Sequence, residues 1–206
     1  MPFEPEYLDR DCISGAHAYC PRSTRNCKNC PYDIDTDDFT EYIFTQSRAA
    51  DIVDHLGEDW YSAPASTRHH GAYPGGLSEH TSNVLENLRN LTKSLGLRWE
   101  HDDSPFVVAL GHDLCKLGAY IEVDGQYTWN HKHRVGHGSL SVKILEEWGI
   151  DLTEMERYCI QYHMGPWTRP EDEIGGLDYT AAIRKHPNIL YTHMADMMAT
   201  YIDEVV

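Results

Sequence analysis

The chain has 206 residues, 41% apolar and 24% charged, the make-up of one globular domain with at most a small appendage. It shows no apolar run of membrane-spanning length and no signal-peptide core in MPFEPEYLDRD, so the expectation is a cytoplasmic protein without membrane contact. A net charge of −16 argues against a broad surface for long nucleic acid, while leaving room for a small phosphorylated substrate beside a local metal ion.

Residues 1–38 read as an irregular arm and 39–206 as the domain proper. The arm holds four of the six cysteines, Cys12, Cys20, Cys27 and Cys30, spaced C-x7-C-x6-C-x2-C. In a reducing compartment four thiolates suffice for a structural zinc site or an iron–sulfur cluster. Free thiols and disulfides are the alternatives.

From residue 39 the pattern turns helical. Phe39, Tyr42, Ile43, Ile52, Val53 and Leu56 suggest one or two amphipathic helices, and SAPASTRHHGAYPGG (62–76) reads as a loop. Leu77, Val84, Leu88, Leu91 and Leu95 then form one apolar helical stripe, with His80 on it. Ser104-Pro105 is a helix start, as N-cap and first helical residue. FVVALGHDLCKLG should follow as a central buried helix closed by Gly118. Tyr120 to Trp129 alternates around Asp124-Gly125, a two-residue hairpin signal. Two helices are expected over 137–148 and 153–163, the second opened by a Thr153/Glu156 capping box. A Gly/Pro-rich loop precedes a last helix near 187–203. The fold class expected is all-α with one β-hairpin.

Asp113 and Asp196 fall within apolar helices, and His80 falls on a buried stripe. Ionised carboxylates there need partners. A divalent metal would satisfy them together, and imidazole with carboxylate suits Mn, Fe, Co, Ni or Zn. Cys115, Cys159, His193 and the methionines 194, 197 and 198 read as core or supporting residues. Asp102 and Asp103 read as solvated surface.

With its His80 in GGLSEHT, His112-Asp113 in LGHDLCK and Asp196 in MADMMA, the sequence resembles the HD superfamily of metal-dependent phosphohydrolases over about residues 62–203. His137 and His163 are placed as in its dinuclear members. STRHHGAYPGGLSEH is similar to a bacterial and phage HD subgroup of undefined substrate, and to the segment before the first metal ligand of some 3′-to-5′ exoribonucleases. The resemblance implies one metal on His80, His112, Asp113 and Asp196, and a second on Asp113, His137 and His163. It implies a metal-activated water attacking phosphorus, with Lys116 holding a phosphate oxygen or protonating the leaving oxygen. Arg68, His69 and His70 would contact the substrate, most simply a nucleotide. The alternatives are a diiron oxygenase of the same superfamily and a non-catalytic nucleotide sensor. An exoribonuclease is disfavoured at this level, for want of a basic stripe or a separate RNA-binding domain. A homo-oligomer is compatible with the sequence.

Overall fold

The structure, a computed structural model, describes residues 47–204. The arm 1–38, its four cysteines and the helical pattern from Phe39 to Ile43 lie outside the described residues.

The described part is all-α with one hairpin, as expected. Helix α1 (Arg48–His55) buries Ala49 and Ile52, and α2 (Glu58–Ser62) buries Trp60. A loop then leads to α3 (Gly76–Leu95), closed by Gly96 in the left-handed conformation at φ 63°. Leu77, Val84 and Leu88 of the α3 stripe are fully buried, as is His80, whereas Leu95 at the far end is exposed. Each buried leucine or valine contributes roughly 1.5–3 kcal/mol by leaving water. Helix α4 (Ser104–Gly111) is buried along its whole length. It starts one residue earlier than expected, with Asp103 as N-cap, because the Ser104 hydroxyl turns back to accept from the His101 N–H at 3.2 Å.

The continuous helix expected through His112, Asp113 and Lys116 is in fact split. The α-helix ends at Gly111, and Leu114–Lys116 form a separate tight turn. The cause lies in Ser141. Its hydroxyl donates to the His112 carbonyl at 2.8 Å and accepts from the Cys115 N–H at 3.0 Å. Both backbone groups are thereby taken from the i→i−4 ladder, which is how an inserted side chain breaks a helix. Asp113 sits at this break and not mid-helix.

The hairpin pairs β1 (Tyr120–Val123) with β2 (Gln126–Trp129), Tyr120 opposite Trp129. Asp124 and Gly125 both have positive φ, 52° and 75°, the turn that matches strand twist. Helix α5 (Gly138–Glu147) packs on α6 (Glu154–Gln161), which opens with the expected capping box. Two short turns, Gly165–Trp167 and Pro170–Asp172, occupy the Gly/Pro-rich loop. It also holds a helix not foreseen, α7 (Tyr179–Lys185), N-capped by Asp178. Last come α8 (Asn188–Met198) and a wider π-type turn, Ala199–Asp203. Helix α3 packs against both α4 and α8, and α6 against α4 and α8, so the polar residues of α3, α4 and α8 meet inside the bundle. No helix among the described residues is long and apolar enough to cross a membrane.

Candidate metal centre

Six side chains singled out in the sequence converge at the Asp113 break. His80 comes from the first turns of α3, and His112 and Asp113 from the end of α4. His137 immediately precedes α5, His163 follows α6, and Asp196 lies in α8. Local packing explains the approach of the last two histidines. A Cβ on Gly138 would lie 2.5 Å from the Gln161 carbonyl oxygen, so α5 and α6 touch backbone to backbone only because residue 138 is glycine. Asp172, nearly fully buried, accepts from the His137 and Ser139 N–H groups at 3.3 and 3.1 Å and holds the start of α5 in place.

Asp113 is the hinge of the arrangement, because its two oxygens face different partners. Oδ2 lies 3.4 Å from His112 Nε2, 3.6 Å from His80 Nε2 and 2.6 Å from Lys116 Nζ. Oδ1 lies 3.5 Å from His137 Nε2 and 3.7 Å from His163 Nε2. Asp196 Oδ1 is 3.2 Å from His80 Nε2. His80, His112 and Asp113 form one set able to hold a metal ion, and Asp113, His137 and His163 a second.

The hydrogen bonds behind the rings decide what the front can do. His112 Nδ1 lies 2.7 Å from the Ala109 carbonyl, and His163 Nδ1 2.7 Å from the Ile160 carbonyl. A carbonyl only accepts, so each Nδ1 carries a hydrogen, and Nε2 is the atom that a neutral ring offers to the centre as a ligand. His80 Nδ1 is backed in the same way by the Glu204 carboxylate at 2.9 Å. The front nitrogens nevertheless approach in pairs, His112 to His80 at 3.3 Å and His163 to His137 at 3.1 Å. Asp113 Oδ1 is buried without a hydrogen-bond partner among the described residues. Imidazole nitrogens this close together, beside a buried carboxylate oxygen without a partner, make a compact set of ligand atoms that fits divalent metal ions.

Charge is distributed unevenly over these groups. Burial raises the Asp113 pKa, but Lys116, His112 and His137 outweigh it and hold the carboxyl well below its usual range. Burial opposes charge on His80, yet the Asp196 and Glu204 carboxylates hold its pKa up at about 9. Burial, reinforced by His137, pushes His163 down to about 3, which leaves a neutral ring. Burial also lowers His137, against the pull of Asp113. Lys116 keeps its charge despite burial because Asp113 faces it.

Of the expected substrate residues, His70 lies against this centre, beside His80. Ser66 organises their loop, donating to the His70 carbonyl at 2.8 Å and accepting from the His69 N–H at 2.9 Å. Gly71 and Gly76 meet so closely that a Cβ on Gly76 would lie 2.1 Å from the Gly71 oxygen. The His70 ring lies against that of His80, tilted by 38° with centroids 4.8 Å apart, and neither of its ring nitrogens has a hydrogen-bond partner among the described residues. Arg68 and His69 are exposed. Arg68 lines a cleft of about 810 Å³ shared with Thr67, Tyr73, Glu122, Gln126 and Tyr127, between this loop and the hairpin.

Several residues behave differently from expectation. Asp103 is buried and bound to Arg48 instead of lying at the surface, and Met194 is 39% exposed. His193 supports the centre from behind, Nδ1 donating to the His163 carbonyl at 2.7 Å. Cys115 is a buried thiol as expected, but its Sγ lies 3.0 Å from His137 Nδ1. Glu204 was not foreseen: it stands 124 positions from His80, at the end of the chain, with no local pattern to mark it.

No family model matches the chain, and no solved structure does. It is similar to the curated 3'-5' exoribonuclease YhaM of Listeria innocua, 29% identical over 152 residues, 66% of this chain and 47% of that protein. The proteins of the same name from Listeria monocytogenes and Listeria welshimeri are each 28% identical over the same shares. The chain thus spans about half the length of the curated relatives it matches.

Proposed function

We propose that the chain is a metal-dependent phosphohydrolase whose substrate is a nucleotide or the nucleotide end of a chain. The observation that carries this is the pairing of imidazole nitrogens across the two oxygens of Asp113. His80, His112, Asp113 and Asp196 would hold one divalent ion, and Asp113, His137 and His163 the other. Bound there, such ions supply an acidified water and neutralise charge developing on a phosphoryl group. The protein's own groups do the rest. Asp113 fixes the spacing of the two positions. Lys116, 2.6 Å from Asp113 Oδ2, would present its charge to a phosphoryl oxygen. Arg68 offers a guanidinium fork at the cleft, and His70 has buried nitrogens to donate or accept.

The relatives' name favours a particular form of this reading, removal of nucleotides from the 3′ end of RNA. It weighs against the expectation, drawn from the acidic composition, of a free small molecule as substrate. The deciding experiment offers Mn²⁺-loaded full-length chain a panel of mononucleotides and a 5′-labelled single-stranded RNA. Release of phosphate or of nucleotides, lost in Asp113→Ala, supports the proposal. A ladder from the labelled RNA selects the exonuclease form, and phosphate from mononucleotides alone selects the small-molecule form. Oxygen uptake with iron and no hydrolysis would replace both with the oxygenase, and tight nucleotide binding without turnover would replace them with the sensor.

A further inference from the structure

The residue that sequence and resemblance both leave without a role is Glu204. It follows the π-type turn at the end of α8, and it is buried at 8% exposure. Its Oε1 accepts from His80 Nδ1 at 2.9 Å and from the Asn83 amide at 3.2 Å. The neighbouring Asp203 accepts from Asn87 at 2.7 Å. Two successive acids of the turn are thus tied to two amides one helical turn apart on α3, which brings the Glu204 carboxylate behind the His80 ring. The His70 ring lies tilted against the same ring.

We propose that Glu204 is a positioning residue that makes the His80/His112/Asp113/Asp196 position the tighter of the two metal positions. The inference rests on the metal-centre reading above. Its physical content is the difference in what stands behind each ring. A carboxylate that accepts the Nδ1 proton fixes the tautomer, aligns the ring and increases the electron density at Nε2. His80 has such a partner. His137, in the second set, has the Cys115 sulfur and not a carboxylate at 3.0 Å, and its side chain is 27% exposed where that of His80 is fully buried. His112 and His163 are each backed by a carbonyl and do not distinguish the positions. The carboxylate behind His80 therefore tips the balance, and the first position fills before the second. The same bond ties metal binding at α3 to the end of α8, so a cation at His80 also holds the closing turn in place.

The test is a calorimetric Mn²⁺ titration of the full chain. Mn²⁺ is chosen because cysteine thiolates compete for it poorly. In a His137→Ala background, which leaves the first position to be read, Glu204→Ala weakens Mn²⁺ binding by about 10- to 100-fold. Glu204→Gln keeps an acceptor oxygen of the same reach and recovers part of the loss. In a His80→Ala background Glu204 has no ring to hold, and Glu204→Ala changes Mn²⁺ affinity by less than about twofold. An equal loss in both backgrounds would show a purely structural role and overturn the inference, as would no loss in either. Should Glu204→Ala fold poorly, Glu204→Gln in the two backgrounds carries the same comparison. Mn²⁺ bound by neither background nor by the unmutated chain would sink the metal-centre reading itself, and this inference with it.

Discussion

Two groups of charged and polar side chains are buried in this bundle, and they are built in opposite ways. Around Arg48 each charge meets its complement. Its guanidinium reaches Asp103 at 2.5 and 3.3 Å, both Glu156 oxygens at 2.7 Å, and the Asp151 carbonyl at 2.9 Å. Glu156 also accepts from the Thr153 N–H at 2.8 Å, so one acid serves both a capping box and an ion pair. Around Asp113, nitrogens face nitrogens and a carboxylate oxygen is left over. The first group is closed and ties α1 to α4 and α6. The second is ordered from behind, by carbonyls and by Glu204, but open in front. Burying an open arrangement costs stability, so its front is the part that calls for a ligand.

That contrast can be broken at either end. The largest effect is expected from Asp113→Ala, which removes the oxygens shared by both metal positions. Hydrolytic activity should fall by roughly 10³-fold or more and Mn²⁺ uptake should be lost, with the helical circular dichroism retained; turnover near the starting level would show that the open cluster is not the reacting centre. Arg48→Ala should do the reverse. It leaves Glu156 and Asp103 buried without a counter-charge and should cost about 3 kcal/mol in urea unfolding, with metal stoichiometry unchanged. Lys116→Ala removes the charge proposed to meet the phosphoryl group and should lower kcat by roughly 10²-fold with Mn²⁺ still bound. Unchanged kcat would confine Lys116 to neutralising Asp113. The smallest change is expected from Ser141→Ala. Losing the two hydrogen bonds that split the helix should cost about 1–2 kcal/mol and loosen Mn²⁺ binding severalfold, because the backbone of His112 and Asp113 is then free to rejoin the helical ladder. Full stability with weakened metal binding would separate the two effects.

How much of this was legible in the sequence depended on range. The hairpin at Asp124-Gly125 and the Thr153/Glu156 capping box are local patterns, and both stand as expected. The burial of His80 followed from its place on an apolar stripe, and that of Asp113 from the apolar residues around it. The break at Asp113 was illegible because its cause, Ser141, is 29 positions from His112. Asp103 read as surface because its partner Arg48 stands 55 positions earlier. Glu204 was hidden for the same reason, since nothing near it in the chain shows that it faces His80. Helix α7, one of the shorter helices, lay in a stretch whose glycines and prolines masked it.

The most direct test of the central claim is metal content. The full-length chain and its Asp113→Ala variant are loaded with Mn²⁺, freed of excess ion by gel filtration and compared by elemental analysis. Any metal held by the N-terminal cysteines is common to both and cancels. The account predicts an excess of two Mn²⁺ per chain in the unmutated protein, one for each of the two residue sets that share Asp113. Equal content in the two proteins would contradict it.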